Sequence, residues 1–140
     1  MKKIVSIIVP TFNRFELFLK CIESLGNQDY PKNNYEVICV HDGLKCDYNK
    51  DRIKKSAKKI KNFRFEKISH RGVAMVRNYA IRISRGDLIL MIDDDCNAKN
   101  DWISSYVKYM DNQEKVIGAG GTVFSAPPKM FVQKYIAFKN

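Results

Sequence analysis

At 140 residues, 45% hydrophobic and 29% charged, the chain is sized for about one domain with a real core, and no apolar run nears the roughly 18 residues that span a bilayer. The run before Pro10 is too short for a secretory leader, and Cys21, Cys39, Cys46 and Cys96 lack C-x-x-C or disulfide-like spacing, so a reduced, cytoplasmic setting is expected. The formal charge of +10 fits an anionic partner or solvated lysines; the crowd Lys54, Lys55, Lys58, Lys59 and Lys61 has no interleaved aromatics, which argues against nucleic acid.

The chain opens with Ile4 to Val9, a continuous apolar run ended by Pro10 that reads as a strand buried on both faces. Phe15, Phe18, Leu19, Ile22 and Leu25 follow at helical spacing, with Gly26 to close the helix. Tyr35 to Val40 predicts a second strand, ended by His41-Asp42-Gly43. Arg52 to Ile60 predicts a lysine-rich helix with Ile53, Ala57 and Ile60 on one face. Phe63, Phe65 and Ile68 alternate with charged residues, which suits a strand near an edge. Val73 to Ile83 is a helix expected to turn Val73, Val76, Ala80 and Ile83 inward, and Leu88 to Ile92 is the most apolar strand. Trp102 to Met110 predicts a last helix, and Val116 to Thr122 a further strand. Alternation of strand and helix throughout predicts an α/β domain with a mainly parallel sheet flanked by helices.

Ligands of open α/β sheets bind beyond the carboxyl ends of the strands. Three such ends are dense in polar residues: Thr11-Phe12-Asn13-Arg14, His41-Asp42-Gly43 and Asp93-Asp94-Asp95. Three successive carboxylates directly after a strand expected to be buried repel one another and want a counter-charge. A hard cation such as Mg²⁺ or Mn²⁺ would supply it, sharing carboxylate oxygens with substrate phosphates. A solvated acidic turn, or an N-cap cluster for the next helix, is the other reading that stays open. His41, Asp42 and Cys46 lack a fourth ligand for zinc.

Five segments in order carry a resemblance. Ser6-Ile7-Ile8-Val9-Pro10-Thr11-Phe12-Asn13-Arg14 resembles the first strand and loop of family 2 glycosyltransferases, which have the GT-A fold. Glu36 to Gly43 is similar to that family's second strand, which commonly ends Asp-Asp-Gly-Ser; His41 and Leu44 depart from it here, His41 being expected at a partly exposed strand end. Gly72-Val73-Ala74-Met75-Val76-Arg77-Asn78 resembles its Gly-x-x-x-Ala-Arg-Asn helix start, and Gly86 to Asp95 the strand leading to its Asp-x-Asp motif. Gly118-Ala119-Gly120-Gly121 is similar to the small-residue segment that follows.

The resemblance implies a metal-dependent, inverting transfer of sugar from a nucleoside diphosphate, with UDP favoured, to a saccharide or lipid-linked acceptor. Residues 1–140 would form the nucleotide-sugar-binding part. Asp42 would hold the base, with Pro10, Thr11 and Asn13 lining the nucleotide pocket. Asp94 would contact the ribose or sugar, and Asp95 the metal, with Asp93 as second ligand. Arg77 and Asn78, or Arg71 nearby, would reach a phosphate or the sugar; for Arg77 a helix-surface salt bridge is the other reading. The family's general base lies downstream of Gly121 in an acceptor half, so it is expected beyond Asn140, and the catalytic residue stays unassigned. Asp101, Asp111 and Glu114 suit surface roles.

The tail alternates Met130, Phe131, Tyr135, Ile136 and Phe138 with Lys129, Lys134 and Lys139. Such a face lies on an anionic membrane, leaving the protein peripheral to its inner face, or packs on the acceptor half; left bare it favours self-association. A nucleotidyltransferase shares a similar sheet and acidic site but wants a Gly-rich phosphate loop with a lysine, and none is seen. A non-catalytic module that keeps only the donor site is the reading from outside enzymology.

Overall fold

A computed structural model describes residues 3–113 and 115–124. Eight elements alternate: β1 (Val5–Thr11), α1 (Phe15–Gly26), β2 (Tyr35–Asp42), α2 (Lys50–Ser56), β3 (Phe63–Ile68), α3 (Val73–Ile83), β4 (Leu88–Met91) and α4 (Trp102–Asp111). The four strands form one sheet in the order β3-β2-β1-β4, and every pairing is parallel. The expected α/β architecture is therefore found.

Every residue of β1 and β2 is buried, because both faces of these central strands are covered. The two-residue period splits their side chains between two cores. Val5, Ile7 and Val9 meet Phe18, Ile22 and Leu25 of α1 and Ile53 of α2 on one face. Ile8, Ile38 and Val40 meet Val76 and Ala80 of α3 on the other. This division follows from chain direction. The path β1-α1-β2-α2-β3 steps one way across the sheet, whereas β3-α3-β4 returns past both central strands. Right-handed crossovers then put α3 on the face opposite α1 and α2. The reversal makes β1 and β4 neighbours, with α3 on one face of the sheet and α1 and α4 packed together on the other.

Pro10 does not end β1, which continues to Thr11. The Ile8 carbonyl accepts from the Ile92 N–H at 3.1 Å, so backbone groups of that parity point toward β4. Pro10 shares the parity, and the β4 ladder stops opposite Ile8. Its missing N–H therefore faces an open edge and costs no ladder bond.

Four expectations are corrected. The strand from Leu88 is an edge strand among the described residues, with Met91 45% exposed, and the fully buried strands are β1 and β2. The helix from Lys50 ends at Ser56 rather than Ile60; Lys54–Lys58 and Lys55–Lys59 put like charges one turn apart, which disfavours continuing it. Val73 is 50% exposed, in the first turn of α3 and outside the packed stripe of Val76 and Ala80. Val116 to Thr122 is not a strand: it is irregular, with Ile117 exposed, since Gly118, Gly120 and Gly121 give a ladder little to pack. Lys129 to Lys139 lies outside the described residues.

Candidate functional site

A cleft of about 330 Å³ opens at the carboxyl ends of β1 and β4. Pro10, Thr11, Phe12 and Arg14 line it from the β1 end, and Asp42 from the β2 end. Val73, Val76 and Arg77 contribute from α3, and Asp93 and Asp94 from the segment after β4. Six of the residues expected from sequence thus converge: Pro10, Thr11, Asp42, Arg77, Asp93 and Asp94. Asn13, Asn78 and Asp95 are not part of the lining. Asn78 follows Arg77 and is turned away by about 100° of helix. Asn13 is exposed at φ 55°, a left-handed conformation that asparagine tolerates, and it bends the chain from β1 into α1.

The acidic segment is a turn closed by the Cys96 N–H on the Asp93 carbonyl at 3.0 Å. The Cys21 thiol, pushed up to about 12 by burial and the nearby carboxylates, donates to the same carbonyl at 3.6 Å. The turn sends Asp93 to one arginine and Asp94 and Asp95 to another. Asp93 meets Arg77 Nη2 at 2.7 Å, Asp95 meets Arg14 Nη1 at 2.7 Å, and Asp94 Oδ1 lies 3.4 Å from that same Nη1. The counter-charge expected from a metal is therefore provided here by two arginines. Arg77 forms a salt bridge, but to Asp93 in the lining of the cleft rather than along the surface of its own helix. Among the described residues, no group of three or more His, Cys, Asp or Glu side chains is gathered to hold a metal.

Asp94 is 4% exposed, and burial raises its pKa against the pull of Thr11, Arg14 and the Phe12 N–H. Tyr48, unnoticed in the sequence, organises this wall. Its hydroxyl accepts from the Arg14 N–H at 2.8 Å and pairs with Thr11 Oγ1 at 3.0 Å.

Asp42 is buried, and both its oxygens are engaged: Oδ1 accepts from Arg71 N–H at 2.8 Å and Oδ2 from Gly72 N–H at 3.0 Å. It thereby ties the end of β2 to the start of α3, where Gly72 at φ 87° makes the bend. His70 joins this corner: its Nδ1 lies 3.0 Å from Asp42 Oδ2, and its ring stacks on Phe12 with centroids 4.9 Å apart. His41, expected at a partly exposed strand end, is 1% exposed, bonded through Nδ1 to the Gly43 carbonyl at 2.9 Å, with its ring edge-on to Tyr48. Arg14 closes the segment from Ser6 that carries the family resemblance, and a balance of charges at the strand ends singles it out. Tyr48 had no such signal, because its partners lie 34 and 37 residues away.

A family model described as glycosyl transferase family 2 matches residues 6–136. A relative from Methanococcus voltae, a dolichyl N-acetyl-alpha-D-glucosaminyl phosphate 3-beta-D-2,3-diacetamido-2,3-dideoxy-beta-D-glucuronosyltransferase, is 32% identical over 125 residues; these are 85% of this chain and 39% of that protein. Among solved structures, TarS of S. aureus in complex with UDP-GlcNAc aligns with a TM-score of 0.71 and 26% identity, covering 91% of this chain and 38% of that one. The mannosyltransferase PcManGT of Pyrobaculum calidifontis, in complex with GDP-Man and Mn²⁺, aligns with a TM-score of 0.69 and 25% identity, covering 79% and 33%. The chain spans well under half the length of each of these three proteins. Both solved neighbours share the GT-A type of sheet expected from the sequence. With the family model covering nearly the whole chain, the protein belongs to glycosyl transferase family 2.

Proposed function

We propose that residues 1–140 form the donor-binding part of an inverting glycosyltransferase that takes a nucleoside-diphosphate sugar, with UDP as its nucleotide, and a saccharide or lipid-linked acceptor. The observation that carries this reading is the cleft at the β1/β4 reversal, where Thr11, Asp42, Arg77 and Asp94 converge from four separate segments. Relatives support the substrate class: TarS was solved with UDP-GlcNAc, PcManGT with GDP-Man, and the Methanococcus protein is named for a dolichyl-phosphate-linked sugar acceptor.

In this reading the base reaches Asp42, whose oxygens keep lone pairs beyond the two N–H groups they already accept from. Pro10 and Thr11 line the nucleotide, with Asn13 setting the loop's course and Asn78 left to reach the donor from the rim. Asp94 meets the ribose or sugar. Arg77, with its Nε buried and without a hydrogen-bond partner among the described residues, faces the diphosphate. The donor set suits a hard divalent ion: Asp95 and Asp93 are half-exposed oxygen ligands beside a space for phosphates. When bound, Mn²⁺ or Mg²⁺ would offset charge on the departing diphosphate.

Calorimetric titration of the chain with UDP, in Mn²⁺ and in chelator, tests the reading. UDP is expected to bind at least tenfold more tightly with Mn²⁺, and Asp95→Ala to remove most of that gain. Equal affinity in the two buffers would sink the metal-dependent reading.

A further inference from the structure

We propose that Arg14 is the resident counter-cation of the acidic turn, keeping Asp94 and Asp95 closed to a bare divalent ion until a nucleoside diphosphate draws the guanidinium away. The inference rests on the metal-dependent donor reading above and adds an order of binding to it.

One nitrogen of Arg14 straddles two carboxylates, 2.7 Å from Asp95 Oδ2 and 3.4 Å from Asp94 Oδ1. Arg77 holds Asp93 from the other wall at 2.7 Å. A divalent ion seeking Asp95 must therefore displace the Arg14 guanidinium from both carboxylates at once. A diphosphate changes that balance, because its oxygens accept paired bonds from the planar guanidinium fork at least as well as a carboxylate's do. The anchoring of Arg14 suits such a move. Its backbone N–H is fixed on Tyr48 at 2.8 Å, whereas its side chain is 52% exposed and already lines the cleft. The side chain can swing while the loop stays in place. Metal and diphosphate then each bind weakly alone and strengthen one another, and the strengthening is reciprocal.

Arg14→Gln separates this role from a merely structural one. Bare Mn²⁺ binding, followed by loss of the free-ion paramagnetic resonance signal without nucleotide, is expected to tighten tenfold or more. The factor by which UDP and Mn²⁺ help each other is expected to shrink toward one. Arg52→Gln is the control: it removes the same charge from an exposed pair with Glu16, 2.6 Å long, outside the cleft. It is expected to leave both quantities unchanged, and circular dichroism checks that both variants fold. A gain at Arg14→Gln no larger than at Arg52→Gln, with Mn²⁺-dependent UDP binding intact in the wild type, overturns the role of Arg14 alone. If UDP binds the wild type equally in Mn²⁺ and chelator, and no variant takes up Mn²⁺, the donor-site metal falls and this inference with it.

Discussion

Asp94 pays in stability for its place in the cleft. The folded chain holds its proton more tightly than the unfolded chain does, because burial raises its pKa and the Thr11, Arg14 and Phe12 contacts only partly offset that. The stabilisation from the protonated form is full below the unfolded value of about 3.9 and is lost as pH rises through the higher folded value. At neutral pH the ionised side chain is therefore a net cost. Asp94→Asn is expected to raise stability at pH 7 by about 0.5–2 kcal/mol. The gain should vanish near pH 3, where the wild type is itself neutral, while UDP-sugar affinity falls about tenfold. Thermal midpoints at the two pH values read the first effect and calorimetry the second. A lower midpoint at pH 7 would mean that Arg14 and Thr11 more than offset the burial of the charge.

At the scale of elements, a polar network ties the amino-terminal ends of the strands, away from the cleft. Glu36 of β2 accepts from Ser6 Oγ of β1 at 2.6 Å, from the Arg85 N–H at 2.8 Å and from Arg64 Nη2 of β3 at 2.9 Å. Gly86 fits there because a Cβ would stand 2.5 Å from the Ser6 nitrogen. Burial raises the Glu36 pKa, but the bonds from Ser6 and Arg85 and the Arg64 charge outweigh it, and the net shift is downward. A lowered folded value gives stability that is full above the unfolded value of about 4.3 and is lost as pH falls through the folded one. Glu36→Ala leaves Arg64 without its carboxylate and is expected to cost about 3–5 kcal/mol at pH 7. The deficit should narrow below pH 4, as urea midpoints at pH 7 and pH 3 would show; a deficit independent of pH would assign it to packing.

The same scale decides what the sequence could tell. Apolar runs marked β1 and β2 and alternation marked β3, because burial on one face or two writes itself into adjacent residues. The edge position of β4 was not legible, since its four residues are as apolar as a central strand and only the topology exposes Met91. Val116 and Ile117 read as strand while the glycines beside them did not weigh enough. In the cleft, residues adjacent in sequence were found and partners across it were not. Arg14 meets Asp95 over 81 positions and Tyr48 meets Thr11 over 37, and neither pairing has a local signature.

For the whole molecule, the reversal of chain direction between β3 and β4 places the cleft, and it does so whatever side chains fill it. The formal charge of +10 lies largely elsewhere. Lys54, Lys55 and Lys58 are exposed on and after α2, and among the described residues no helix is long and apolar enough to cross a membrane. A second cleft, about 340 Å³ and lined by Lys61, Arg64 and Arg85, lies at the opposite end of the sheet and is the natural competitor for an anionic nucleotide. Mapping UDP with Mg²⁺ onto the backbone amides by nuclear magnetic resonance distinguishes the two directly. The account predicts shifts concentrated in Thr11 to Arg14, Asp42, Arg71 to Arg77 and Asp93 to Asp95, with Lys61, Arg64 and Arg85 unmoved. Shifts centred on Lys61, Arg64 and Arg85, with the Asp93 to Asp95 turn unchanged, would contradict it.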